Sequence, residues 1–216
     1  MTNVVHVGKD VGNAPKPNEF FIINRDYNAP LHGVEFVNED KLRPADQAFV
    51  RPDAGGFPAF AELPFFRETL PGHTLKDFNS SFEGYWLVSE GLKEVLESVD
   101  PEGLEFSPTR FIQADGSEGG KFFLCDVSRS LDAVDEDASD LRIITEGFPK
   151  GKFYRVAGGA SLAFKREVVA GAHIFRLEFN DALIVCDRRM RDALIERGYG
   201  AIGQDSGMAI QDAADY

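Results

Sequence analysis

Residues 82–108 read Phe82-Glu83-Gly84-Tyr85-Trp86-Leu87-Val88-Ser89-Glu90-Gly91-Leu92-Lys93-Glu94-Val95-Leu96-Glu97-Ser98-Val99-Asp100-Pro101-Glu102-Gly103-Leu104-Glu105-Phe106-Ser107-Pro108. They spell a strand, a capped helix, a stop and a second strand. Tyr85 to Val88 are aromatic and β-branched or apolar, the composition of a half-buried pleated surface. Ser89 follows where a side-chain oxygen can accept from the orphan N–H groups of a helix start, so it is read as the N-cap. Leu92, Val95, Leu96 and Val99 recur at helical spacing, with Glu90, Lys93, Glu94 and Glu97 opposite, so one face of the helix is dry. Pro101 drives Asp100 out of the α region, and Gly103 is expected at positive φ where the chain reverses into Leu104-Glu105-Phe106.

Working outward, Phe20 to Ile23 and Gly33 to Val37 read as two strands that could pair across the turn at Asn28-Ala29-Pro30. Residues 42–72 carry prolines at 44, 52, 58, 64 and 71 between Phe49, Phe57, Phe60, Phe65 and Phe66. Proline breaks regular ladders while the rings need burial, so this stretch is expected to wrap over the core in short turns. Thr109 to Gln113 and Lys121 to Val127 flank an Asp115-Gly116 turn and read as a hairpin. Short strands follow at Phe153 to Val156, Leu162 to Lys165, Ile174 to Leu177 and Leu183 to Cys186. A second strand–helix–glycine stop echoes the first: Asp187 is placed to cap a helix carrying Met190, Ala193 and Leu194, ending at Gly198. The pattern is α+β: a single domain with a mixed, mainly antiparallel sheet and two or more packed helices. Its expected limits are a loose lead-in at 1–17, a domain at 18–203 (a Pro/Phe-rich part to 80, then a core part 81–203), and a frayed tail at 204–216.

A net charge of −13 over 216 residues argues against binding nucleic acid through phosphates, which needs a basic footprint. It suits a basic protein partner, or solubility alone. The first ten residues lack an apolar h-region and no 18-residue apolar run occurs, so neither secretion nor membrane spanning is expected, and the location is read as cytoplasmic. Cys125 and Cys186 sit in apolar runs, as reduced buried thiols do.

Candidate chemistry is sparse. Gly198-Tyr199-Gly200-Ala201-Ile202-Gly203 fits Gly-x-Gly-x-x-Gly, but it follows a helix where a dinucleotide site needs a strand, so the glycines are read as a helix stop. Asp135, Asp137, Ser139 and Glu146 fall at calcium-loop positions, but Asp140 stands where the sharp turn needs Gly, and a solvated acidic loop is the simpler reading. His6, His32, His73 and His173 show no ligand spacing, so no metal site and no cofactor is expected. Neither a nucleophile elbow nor a phosphate loop occurs, which leaves an enzyme only a site assembled from distant residues. Trp86 is read as core rather than as an interface anchor.

Several segments together resemble a known family: Leu87-Val88-Ser89-Glu90-x-Leu92-Lys93-x-Val95-Leu96-Glu97, Asp100-Pro101-Glu102-Gly103-x-Glu105-Phe106, Leu131 to Asp135 with Ser139, and Ile174-Phe175-Arg176-Leu177 before Val185-x-Asp187. They are similar to the bacterial polymorphic-toxin immunity proteins, a family first catalogued as a domain of unknown function, over about residues 80–203. The resemblance implies a cytoplasmic protein that binds and neutralises a cognate toxin, with no catalytic residue; the charge and the lack of an apolar span speak against nucleic-acid and membrane partners, and the oligomeric state stays open. The alternatives are a small enzyme with a non-local site and a secretion-system adaptor. The motif residues Ser89, Leu92, Val95, Leu96, Pro101, Gly103 and Asp187 are structural on this reading. The candidate partner surface is the acidic stretch Asp132, Glu136, Asp137, Asp140 and Glu146, since a core would not absorb such charge and a basic cleft would attract it.

Overall fold

The computed structural model describes residues 4–5, 15–28, 33–42, 51–52, 54–72, 75–82 and 84–216. In chain order the elements are β1 (Val4–Val5), β2 (Phe20–Arg25), β3 (Val34–Phe36), α1 (Glu39–Leu42), β4 (Phe65–Glu68), β5 (Phe78–Phe82) and β6 (Tyr85–Ser89). Then come α2 (Glu90–Val99), β7 (Leu104–Pro108), β8 (Arg110–Ile112), β9 (Phe122–Val127), β10 (Ser130–Leu131), β11 (Arg142–Ile144) and β12 (Phe153–Arg155). The chain finishes with α3 (Arg166–Val169), β13 (Ile174–Leu177), β14 (Asn180–Asp187), α4 (Arg188–Glu196), β15 (Met208–Asp212) and a 3-10 turn at Ala213–Asp215. The class is α+β with mostly antiparallel sheets, as the alternating strands and two amphipathic helices imply.

The chain divides into two compact units, each assembled from separate segments: 1–24 with 129–192 and 210–216, and 25–128 with 193–209. In the second unit the sheet order is β5-β6-β9-β7. Tyr85, Leu87, Val88 and Leu124 are fully buried there, and α2 lies on β6 and β9. Its dry face is as the spacing predicts: Leu92 and Leu96 are fully buried and Val95 nearly so, while Val99 is half-buried. Trp86 is core, edge-on to Phe78 at 4.9 Å. The reversal after α2 differs from expectation, because Gly103 does not take positive φ. Asp100, non-helical ahead of Pro101 and itself buried, instead turns its Oδ1 to accept from Gly103 N–H at 3.1 Å, so a side chain closes the turn.

A three-stranded sheet, β3-β4-β8, also belongs to that unit. The two early strands therefore do not pair with each other: β3 takes β4, while β2 takes β14. The 109–113 and 121–127 runs likewise part company. β9 pairs with β6 and β7, and β8 runs parallel to β4, leaving only the turn at 113–117 and an Ile112–Glu118 bridge of the expected hairpin. In each case the strand takes a partner distant in sequence, a choice that strand composition alone does not specify. The Pro/Phe-rich stretch does cover a core cluster, since Phe57 stacks on Tyr85 at 4.9 Å with Phe60 beside it, and it also contributes β4. Its residues 43–50 and 53, with Pro44 and Phe49, lie outside the described residues, as do His6, His32 and His73.

The first unit is built on the sheet β10-β13-β14-β2-β15, with a second sheet β1-β11-β12 and a core of Ile22, Val134, Ile143, Tyr154, Phe175, Leu177 and Val185. The run at 162–165 forms only a Val134–Phe164 bridge and no strand. The C-terminal segment is not frayed: β15 joins the five-stranded sheet, Met208 and Ala213 are buried, and Tyr216 exchanges two backbone hydrogen bonds with Ala160. Its polar composition hides an edge strand, which needs backbone pairing on only one side. Within the expected lead-in, Val4–Val5 pair antiparallel with Ile143–Ile144.

The internal echo is closer than its sequence suggests. Ser89 Oγ accepts from Leu92 N–H at 3.3 Å and Asp187 Oδ1 from Met190 N–H at 3.0 Å, so each strand's last residue caps the next helix. Each cap is also clasped by the residue just before the hairpin. Ser89 N–H donates to Asp77 C=O at 2.9 Å and its hydroxyl to Asp77 Oδ1 at 2.6 Å. Asp187 N–H donates to His173 C=O at 3.1 Å, and its Oδ2 lies 2.7 Å from His173 Nδ1.

Candidate partner surface

The acidic stretch leaves β10 and runs to β11, in the first unit. Its turn is made by its own residues: Asp135 Oδ1 accepts from Ala138 N–H at 3.1 Å, and the buried Ser139 hydroxyl donates to Asp135 C=O at 2.6 Å and accepts from Ala163 N–H at 2.9 Å. Asp135 and Ser139 thus hold the backbone, as short polar side chains do in turns. Leu141 and Ile143 point into the core, so the residues between and beyond them face out. Asp132, Asp137, Asp140 and Glu146 are all exposed.

Glu136 behaves differently from those four. It is half-buried, paired with Lys152, and accepts a 2.6 Å hydrogen bond from the hydroxyl of the fully buried Tyr154. Burial opposes ionisation of Glu136, but the hydrogen bonds from Lys152 and Tyr154 outweigh it, and the carboxyl is held below its ordinary range. Burial, and then the Glu136 carboxylate, push the Tyr154 phenol well above its own ordinary range. Asp132 lies 3.4 Å from the same phenol oxygen and 3.7 Å from Lys165 Nζ. Lys152 also sits over the Phe179 ring at 4.0 Å. The cluster braces Asp132 and Glu136 against Tyr154 and the two lysines. Tyr154, Lys152 and Lys165 were not found from sequence because they lie 16 or more residues from the carboxylates they meet.

A cleft of about 270 Å³ is lined by Lys16, Glu19, Phe20, Asp135, Lys165 and Arg166 among others, but Arg166 is paired with Glu19 and Lys165 with Asp132, so its charges are largely spent within the unit. The His173–Asp187 pair has the form of a base and its orienting carboxylate. Arg189 Nη1, however, lies 3.3 Å from His173 Nε2, where a nucleophile would have to sit. Among the described residues no group of three or more His, Cys, Asp or Glu could hold a metal ion, and no helix is long and apolar enough to cross a membrane.

The motif residues Ser89, Leu92, Val95, Leu96, Pro101 and Asp187 occupy caps, a helix face and a stop. No curated protein matches the chain. A family model does, the immunity protein family (Imm11), over residues 19–215, which takes in the Pro/Phe-rich segment and the C-terminal strand as well as the motif-bearing region. With nearly its whole length matched, the chain belongs to the immunity protein family.

Proposed function

We propose that this protein neutralises a cognate bacterial toxin domain in the cytoplasm by binding it, without chemistry of its own, through the exposed carboxylates Asp132, Asp137, Asp140 and Glu146. What supports the reading is the family match over 19–215 together with an exposed stretch in which carboxylates outnumber the lone Arg142, on a protein of net charge −13. Nucleases and other nucleic-acid-directed toxins need a basic cleft for phosphate, and an acidic face seated over such a cleft both accelerates encounter and excludes substrate. Glu136, held by Tyr154 and Lys152, braces the neighbouring Asp132 through the shared phenol. The test is co-expression with the toxin domain encoded by the neighbouring reading frame. Rescue of growth and recovery of a 1:1 complex are expected, and unrelieved toxicity with no complex would refute the reading.

A further inference from the structure

The outer face of the β11–β12 hairpin carries an arrangement that the core does not explain. Arg142 and Arg155 are paired residues in the register and both are exposed. Directly opposed side chains share a face with Cβ atoms only about 5 Å apart, and like charges so placed destabilise a sheet. Among the described residues neither guanidinium makes a hydrogen bond or ion pair. On the same face the next pair is Ile144 with Phe153, both half-buried, and Phe148 stacks on Phe153 at 4.6 Å while remaining 37% exposed. Glu146 follows in an exposed bend. Along the chain the order is therefore cation, apolar, anion, at Arg142, Ile144 and Glu146.

That order is complementary to itself under a two-fold axis through Ile144. Such an axis sets Arg142 against Glu146 of a second copy and Glu146 against that copy's Arg142, with Ile144, Phe153 and Phe148 closing an apolar centre. The opposed guanidiniums then share a carboxylate, which removes the repulsion between them. We propose that this hairpin face is a self-association surface whose occupant is a second copy of the chain. The net charge of −13 holds copies apart at long range, but at 0.15 M salt the screening length is about 8 Å, so contact pairs outlast the repulsion. Glu146 also belongs to the proposed toxin-facing set, so the two unions compete for it, yet self-association needs no toxin to be measured.

Sedimentation velocity of the full chain over a concentration series at 0.15 M salt tests this. A concentration-dependent monomer–dimer equilibrium is expected for the unaltered protein. Arg142→Glu and Glu146→Arg should each weaken it by about tenfold or more, since each sets like charges face to face. Mixing the two variants in equal amounts, or combining both changes in one chain, should restore the dimer. Unchanged melting of every variant would show that folding is intact. A wild-type chain that stays monomeric throughout, or a dimer that survives either single reversal, overturns the proposal.

Discussion

Arg51 Nε lies 2.6 Å from Oδ1 of Asp126, a carboxylate with no exposed surface. The other oxygen, Oδ2, accepts from Gly56 N–H at 2.6 Å, and Arg51 Nη2 reaches the carbonyls of Val127 and Ser128 at 3.3 Å. One buried charge in β9 thus fastens the Pro/Phe-rich segment, and Tyr85 adds a second tie by donating to Gly56 C=O at 2.9 Å. Prolines interrupt any long ladder in that segment, so side-chain anchors hold the part that precedes β4.

Removing the cation from such a pair strands its partner. Arg51→Leu is expected to lower stability by about 3–5 kcal/mol, because Asp126 would remain buried without its counter-charge. Urea denaturation checks this. A change below about 1 kcal/mol would mean that water reaches Asp126.

Leu96 is fully buried at the middle of the α2 face. Leu96→Ala should cost about 2–5 kcal/mol by lost burial and the cavity left behind. Glu94→Ala, on the exposed side of the same helix, should stay within about 0.5 kcal/mol. Equal effects at the two positions would mean that the helix face is misassigned.

Glu136 has its folded-state pKa below the ordinary 4.5. Its ionised form therefore contributes stability that is fully present above that ordinary value and is lost as pH falls through the lower folded value. Glu136→Gln should lie below the wild type at neutral pH, with the gap closing as pH drops beneath about 4. Melting temperatures across a pH series measure the gap, and a gap constant with pH would contradict the assignment.

Charge reversal at Asp137 and Asp140 should slow association with the cognate toxin and flatten its salt dependence, leaving melting nearly unchanged because both side chains are exposed. Glu136 is a poor choice for this test, since reversing it also breaks the Tyr154 brace. Stopped-flow association kinetics at several ionic strengths provide the measurement. Unaltered kinetics would move the interface off this surface.

Local chemistry made part of this protein legible in one dimension. The Ser89 and Asp187 caps, the dry face of α2, the break at Pro101 and the stop at Gly198, which takes φ +86°, each depend on residues within a few positions of one another. The outward placing of the acidic residues Asp132, Asp137, Asp140 and Glu146 follows from their charge alone. What only the tertiary structure decided is pairing over distance. The parting of β8 from β9, the engagement of β2 by β14, and the edge strand at 208–212 depend on which apolar surfaces meet, and strand composition is silent on that. The two units are invisible along the chain because each is discontinuous, and no change of composition marks a border that the backbone crosses repeatedly. The candidate surface divides in the same way. Its carboxylates stand in one acidic run, whereas the distinction between Glu136, tied down by Lys152 and Tyr154, and its exposed neighbours arises only when β12 is laid beside β11.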